Sequence, residues 1–207
     1  MAQVKYLSTT YSPQAYKAFF DSLNCPLLST EINGNNFYLH VGDIFTFRGP
    51  YNGNAGLIVK GTEVTQGGWG VDLPITVVYT DKLFFMYTKN SSANTRGLSF
   101  FYEELGDKIL YGYVFSTSNN SFKPLDIIPL TDDVSSLQYQ HSPRLNYQAQ
   151  TGYIDYAPQK LFSSGLITDI EDDNFIACST VTANQVVSFE GKNYYSIGTN
   201  TLVELDY

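Results

Sequence analysis

Residues 75–88 have the sequence ITVVYTDKLFFMYT, and this stretch decides the fold class. Two runs of β-branched and aromatic residues, 75–80 and 83–88, flank the polar pair Asp81-Lys82. Such residues favour extended backbone, and a short polar connection between two apolar runs is typical of a β-hairpin. We therefore predict an antiparallel hairpin near the middle of the chain.

A second hairpin is predicted directly after the first. Its strands are 98–103 and 108–115, joined by Glu104-Leu105-Gly106-Asp107. Within 108–115 the alternating residues are apolar on both sides of the strand. A strand with two apolar faces is typical of the interior of a β-structure. We therefore predict that 108–115 is a central strand.

One helix is predicted on the N-terminal side of these hairpins. Ser12 is a suitable N-cap and Pro13 suits the first helical position. Apolar residues then recur at helical spacing until Asn24-Cys25-Pro26, where the proline disfavours helical backbone. We predict an amphipathic helix over 13–23, packed on a sheet. The segments predicted to be extended before residue 75 are 29–32, 36–41, 43–48 and 57–60, with a turn at 33–35 and a loop at 49–54.

The C-terminal part of the chain alternates between polar and strand-like stretches. Residues 131–152 show no sustained period, and long irregular segments in compact domains are usually functional. We predict an extended arm there, with a strand around 137–140 as an open alternative. The strands predicted afterwards are 153–156, 165–170, 175–180, 185–190, 193–197 and 201–205.

Together these patterns predict an all-β fold, an antiparallel sandwich or barrel with one short N-terminal helix. The predicted organisation is a main β-domain at 1–130 and the arm at 131–152. The strands of 153–207 form either part of the same domain or a small subdomain.

Composition limits the classes of function. The 207 residues include 12 basic and 20 acidic ones, for a net charge of −8, and only 15% are charged, whereas about a quarter is usual. A uniformly acidic surface disfavours direct nucleic-acid binding. Apolar runs fall well short of the ~20 residues that span a bilayer, so neither a membrane nor a signal peptide is expected. We predict synthesis in a cytoplasm.

The sequence offers no catalytic motif. The histidines are His40 and His141, and we expect His40 to be an ordinary strand side chain. Glu103 and Glu104 are neighbours in a predicted strand, so their side chains point to opposite faces and do not form a carboxylate pair. A single disulfide between Cys25 and Cys178 is arithmetically possible, but we expect both to be free buried thiols. We therefore predict a protein without enzymatic activity and without a cofactor.

Acidic residues over 169–174 are the candidates for metal binding, since the two Cys and two His residues are too scattered for a zinc site. Asp169, Glu171 and Asp173 belong to a run with five oxygen-bearing side chains, and Ca²⁺ prefers oxygen ligands. The spacing is not that of an EF-hand, however. A solvated acidic turn without metal is the interpretation that we favour.

Aromatic residues supply the candidates for interaction. Tyrosine offers a large contact area at low conformational entropy, and the chain has 17 tyrosines. Trp69 lies among glycines at 67–70, where it would either stack on a glycan or pack under its loop. Tyr139 and Tyr147 lie in the predicted arm and Tyr153 directly follows it. These four residues are the predicted interaction residues.

The closing segment, 189–204 (FEGKNYYSIGTNTLVE), resembles the ends of many small virion proteins of tailed bacteriophages. Such proteins often end in a Gly-Lys-x-Tyr hairpin, an Ile-Gly turn and a final Leu-Val strand. The resemblance implies a structural component of a head, neck, tail or baseplate. It implies localisation in the virion, and as partners other virion proteins and copies of the chain itself, with 131–152 reaching onto a neighbour. The alternative function is a glycan-binding or receptor-recognising β-sandwich module.

Overall fold

The computed structural model describes residues 2–51, 54–68, 74–89, 97–116, 138–139, 156–163, 166–178, 185–189, 191–198 and 201–205. Within these residues the chain forms one helix and sixteen strands. The elements are, in chain order, β1 (Gln3–Leu7), α1 (Pro13–Ser22), β2 (Leu28–Asn33), β3 (Asn36–Val41), β4 (Phe45–Tyr51), β5 (Asn54–Val59), β6 (Thr62–Gly68), β7 (Ile75–Tyr79), β8 (Leu83–Lys89), β9 (Gly97–Leu105), β10 (Lys108–Ser116), β11 (Gln138–Tyr139), β12 (Tyr156–Ser163), β13 (Leu166–Cys178), β14 (Val186–Phe189), β15 (Lys192–Gly198) and β16 (Thr201–Glu204).

The described strands form three antiparallel sheets, which confirms the predicted all-β fold with one short helix. The first sheet has the order β2-β3-β4-β5-β6 and the middle sheet the order β1-β7-β8-β9-β10. The third sheet has the order β11-β12-β13-β16-β15-β14. The strands are arranged as layers, in the manner of a β-sandwich, because apolar side chains join one sheet to the next.

The middle sheet is buried on both faces. On one face, Phe100 packs on Phe45 of the first sheet, with ring centroids 5.0 Å apart. On the other face, Phe85 and Phe101 belong to a second core together with Val203 of the third sheet. Every residue of β7 is buried as a result. The two strands of the hairpin at 75–88 therefore carry apolar residues on both faces, because they lie between two layers.

Helix α1 forms for the reasons that the sequence indicates. The Ser12 side chain accepts a hydrogen bond from the Ala15 N–H at 3.4 Å, and Pro13 occupies the first turn. Tyr16 and Phe20 are buried, and the ring of Phe20 stacks on Phe37 of β3 at 5.5 Å. The helix ends at Ser22, one residue before the predicted end, and packs on the first sheet as predicted.

The prediction that 108–115 is a central strand is wrong. Among the described strands, β10 is the last strand of the middle sheet and pairs with β9. Tyr111 packs in the core shared with the first sheet, whereas Leu110 packs in the core shared with the third. Two apolar faces therefore reflect coverage by layers above and below, and not hydrogen-bonded neighbours on both sides.

Several predicted boundaries also need correction. The predicted loop at 49–54 is mostly strand, because β4 continues to Tyr51 across a register shift and β5 begins at Asn54. The predicted turn at 104–107 is shorter, since β9 runs to Leu105 and Gly106 has a φ of 63°. Strands β1 and β6, and all of β12 except Tyr156, lie where the sequence predicts no strand. The domain boundaries predicted at 130 and 153 lie outside the described residues.

Candidate functional site: the sheet edges

Three large hydrophobic side chains are exposed among the described residues. They are Tyr6 (59% exposed), Ile32 (36%) and Val186 (48%). They lie on β1, β2 and β14, and each of these is the terminal strand of its sheet. An edge strand presents N–H and C=O groups that have no strand partner. Each described sheet therefore ends in a strand that combines an open backbone edge with an exposed apolar side chain.

Two of these side chains, Tyr6 and Val186, lie beside Tyr195 at the junction of the middle and third sheets. The Tyr6 ring contacts Tyr195 edge-on, with centroids 6.4 Å apart. Val186 lies directly opposite Tyr195 in the pairing of β14 with β15. Tyr195 itself is almost completely buried. Tyr6, Tyr195 and Val186 thus form one surface, the tyrosine patch, in which two exposed side chains flank a buried ring.

Hydrogen bonds between hydroxyl groups support this patch from below. The Tyr87 and Tyr195 hydroxyl oxygens are 2.8 Å apart, and Tyr87 also bonds to Thr76. Burial, followed by hydrogen bonding to Tyr6 and Tyr87, raises the pKa of Tyr195. Burial also raises the pKa of Tyr87. Both hydroxyls therefore stay protonated at neutral pH and act as hydrogen-bonding groups and not as bases.

The edge of the first sheet, β2, has a polar cluster beside it. The Thr30 hydroxyl donates to Asp21 Oδ1 at 2.5 Å, and Lys17 Nζ lies 2.8 Å from both the Thr30 hydroxyl and Asp21 Oδ2. Hydrogen bonds from Lys17 and then Thr30 lower the pKa of the Asp21 carboxyl. These contacts tie helix α1 to the edge strand and fix the inner side of β2.

The outer face of the first sheet is polar. Arg48 Nη2 lies 3.0 Å from Glu63 Oε1, and the ion pair crosses Gly56. A Cβ at Gly56 would lie 2.9 Å from that Glu63 oxygen, so a side chain there would disturb the pair. His40 Nδ1 lies 2.9 Å from the Thr46 hydroxyl, which confirms that His40 is a strand side chain with an ordinary polar partner.

The predicted interaction residues fall largely outside the described part of the chain. Trp69, Tyr147 and Tyr153 lie outside it. Tyr139 lies on β11, where its backbone pairs with Leu161 of β12. The strand at 138–139 thus agrees with the alternative prediction of a strand around 137–140. The other residues of the predicted arm at 131–152 lie outside the described residues.

The predicted acidic turn is wrong. Asp169, Glu171 and Asp173 all lie within β13, and Glu171 pairs with Lys160 of β12. The pairing of β12 with β13 shifts register twice, so this acidic stretch is accommodated in an irregular strand and not in a loop. Within the described residues, no group of three or more His, Cys, Asp and Glu side chains is placed to hold a metal ion.

Two further sequence predictions concern individual side chains. Cys25 is a buried free thiol, as predicted; its Sγ donates to the Thr80 carbonyl at 3.4 Å, and burial raises its pKa. The Cys178 side chain lies outside the described part. Glu103 is fully buried and Glu104 is exposed, which confirms that these neighbours point to opposite faces.

The tyrosine patch was missed by sequence reasoning. A signal for it exists, because Val4 and Tyr6 alternate with Gln3 and Lys5 as an edge strand does. The segment is short and partly polar, so only its pairing with β7 shows that it is a strand. No pattern in the sequence indicates that Tyr6 meets Tyr195, which is far away in the chain.

No helix in the described ranges has the length and apolar character needed to cross a membrane. The chain matches no protein family, no curated protein and no solved structure with which it was compared.

Proposed function

We propose that the protein is a non-enzymatic structural protein of a tailed phage particle, which acts by assembly with other virion proteins and copies of itself. One observation carries the proposal: the exposed large hydrophobic side chains of the described chain, Tyr6, Ile32 and Val186, lie on the terminal strands of its three sheets. Natural proteins usually protect such edges, since an open edge pairs readily with another chain.

A partner bound at these edges would cover both unpaired backbone groups and exposed apolar side chains. A strand added to an edge satisfies backbone groups and gives affinity, while side-chain pockets give specificity. The tyrosine patch adds an exposed ring held by neighbouring tyrosines, which limits the entropy lost on binding. The net charge of −8 favours protein partners over nucleic acid.

The test is whether the chain is part of a particle. Particles from a phage whose genome encodes the chain are purified on a density gradient and analysed by mass spectrometry. We expect the chain in the particle fraction at a fixed copy number. A chain that is abundant in the lysate and absent from purified particles would overturn the proposal.

A paired set of variants tests the surface itself. Tyr6→Ser combined with Val186→Ser removes the exposed apolar atoms of the tyrosine patch, and we expect less of this variant in particles. Lys82→Ser, in the exposed turn between β7 and β8, is the control and should be incorporated normally. Equal incorporation of the two variants would show that the patch makes no assembly contact.

A second candidate function, glycan binding, is favoured by the exposure of the Tyr6 ring, which is a stacking surface for a sugar. Retention of the chain on immobilised glycans, lost in Tyr6→Ala, would support it. No retention of the wild-type chain on a broad glycan panel would exclude it.

A further inference from the structure

The edge strand β2 has a defined set of backbone groups that point away from the sheet. Gly34 has a φ of 60° and lies first in the two-residue turn between Asn33 and Asn36, as in a type II′ hairpin. The pair Asn33–Asn36 is therefore hydrogen bonded, and bonded pairs alternate along the hairpin. The N–H and C=O groups of Leu28, Thr30 and Ile32 consequently point outward.

One contact supports this assignment independently. The Leu28 N–H donates to the Cys25 carbonyl at 3.1 Å and not to a carbonyl of β3. The outward donors left along the strand are the N–H groups of Thr30 and Ile32. No described strand pairs with this side of β2.

We infer that β2 pairs with β2 of a second copy of the chain, antiparallel, with Thr30 opposite Thr30 of the second copy. The inference deepens the proposed assembly function and rests on it, because it names one partner and one register for an edge contact. In this arrangement the Thr30 N–H groups donate to each other's carbonyls, and each Ile32 N–H donates to the Leu28 carbonyl of the other copy. Two five-stranded sheets become one continuous sheet.

The register follows from which residues share a face. Leu28, Thr30 and Ile32 lie opposite Val41, Leu39 and Phe37, which are all buried. Ser29, Glu31 and Asn33 lie on the outer face. Residues opposite each other in an antiparallel pair must share a face, so the two longest self-pairings are centred on Thr30 or on Glu31.

Charge decides between these two registers. Pairing centred on Glu31 places two carboxylates directly opposite each other, which is destabilising. Pairing centred on Thr30 places Ser29 opposite Glu31 of the second copy and Leu28 opposite Ile32. It therefore covers the exposed Ile32 side chain with an apolar one and brings no like charges together.

Helix α1 places charges of both signs near the two-fold axis that would relate the two copies at Thr30. Lys17 and Asp21 both contact the Thr30 hydroxyl, so the axis through Thr30 brings these ions towards their counterparts in the second copy. Each copy therefore places one ammonium group and one carboxylate beside the axis, in equal numbers. Both side chains are partly exposed and available for such a contact.

The other edges that carry exposed hydrophobic side chains are less suited to self-pairing. The longest self-pairing of β1 is centred on Lys5 and would place two ammonium groups opposite each other. β14 is only four residues long. The six residues of β2 pair with β3 without a register shift, so the strand is regular along its whole length.

The experiment measures the dimer dissociation constant of the full chain by sedimentation velocity over a concentration series. Ser29→Glu introduces a carboxylate opposite Glu31 at two symmetry-related positions, and Ser29→Lys introduces an ammonium there. We expect the first variant to weaken and the second to strengthen the dimer, each by roughly 2- to 30-fold, and Ser29→Glu with Glu31→Lys to restore it.

Two further variants complete the design. Ile32→Pro removes an outward donor but no bond to β3, so it should abolish the dimer while circular dichroism shows an intact fold. Ser188→Glu makes the same charge change on the edge strand β14 and should leave the dissociation constant unchanged.

The outcomes separate this inference from the assembly function. A wild-type chain that is monomeric at every concentration, or a dimer that responds equally to Ser29→Glu and Ser29→Lys, overturns the β2 pairing. Incorporation into particles would then still support the assembly function. A dimer that follows the predicted charge pattern supports the pairing even if the chain is absent from purified particles.

Discussion

Gly42→Ala tests the packing between the first and middle sheets. A side chain at this position is unfavourable for two separate reasons, the backbone conformation and a steric overlap. Gly42 has a φ of 53°, and a Cβ there would lie 2.5 Å from Cε2 of Tyr102. The Tyr102 ring is 3% exposed, so it has little room to move aside. Left-handed backbone costs a residue with a Cβ about 1–2 kcal/mol, and overpacking a core costs about 1–3 kcal/mol. We therefore expect a loss of roughly 2–5 kcal/mol in the free energy of unfolding.

Other glycines of the chain separate the two costs. Gly34 and Gly106 have φ values of 60° and 63°, and nothing lies within 4 Å of a Cβ built on either. Their alanine variants should lose only the backbone contribution, about 1–2 kcal/mol. At Gly49 the φ is ordinary but a Cβ would lie 2.5 Å from Cε2 of Tyr11. Gly49→Ala should lose only the steric contribution, about 1–3 kcal/mol.

Equilibrium urea unfolding, followed by far-UV circular dichroism, gives these free energies from the midpoint and slope. The steric part is confirmed separately by placing Gly42→Ala in a Tyr102→Leu background. Without the ring, Gly42→Ala should cost no more than Gly34→Ala. A Gly42→Ala variant as stable as Gly34→Ala in the wild-type background would refute the assigned contact between Gly42 and Tyr102.

Two further predictions concern tyrosine hydroxyls. A double-mutant cycle of Tyr87→Phe and Tyr195→Phe, measured by urea unfolding, should give a coupling of about 0.5–1.5 kcal/mol, and zero coupling would contradict the hydrogen bond between the sheets. Burial, then the charges of Glu104 and Asp43, raises the pKa of Tyr102 from 10.0 to about 12. Because the unfolded chain loses this proton first, the contribution of Tyr102 to stability is complete below pH 10 and is lost as the pH rises to about 12. Tyr102→Phe should reduce this loss in urea midpoints measured over a pH series, and an identical pH dependence in both proteins would show that the pKa is not raised.

The sequence predicts elements best where local residue preference and tertiary environment agree. The hairpin of β7 and β8 appears within one residue of its predicted bounds, because its β-branched and aromatic residues suit both extended backbone and burial. The turn at Gly34 and the N-cap of α1 depend only on neighbouring residues, so both lie where the sequence predicts them. An element whose existence depends on a distant partner has no such local signal: β1 is held by β7, and Ala2, just before β1, bridges to Leu205 at the other end of the chain.

The candidate site was harder to predict than the fold, because it is defined by position within a sheet. Ile32 looks like an ordinary strand residue in the sequence, and only the order of strands shows that it lies on an edge. The acidic residues of 169–173 repel each other and attract water, which predicts a turn. Their backbone is paired within β13, since an irregular antiparallel pair tolerates such residues where its register shifts.

The aromatic composition also has a different meaning once the layers are known. A chain rich in tyrosine and poor in charge suggests contacts between subunits, yet many of its tyrosines are buried within the chain: Tyr16, Tyr79, Tyr87, Tyr102, Tyr111, Tyr194 and Tyr195. A middle sheet covered on both faces needs two apolar sides, and this need accounts for much of the missing charge. The tyrosine-rich, charge-poor composition is therefore evidence that the sheets are layered. The evidence for assembly is the open edges of the sheets. An open sheet keeps two edges however well its faces are covered, so stacking sheets buries side chains without pairing the outer backbone groups. Binding specificity at such an edge depends on which backbone groups point outward and which residues meet across the new pair.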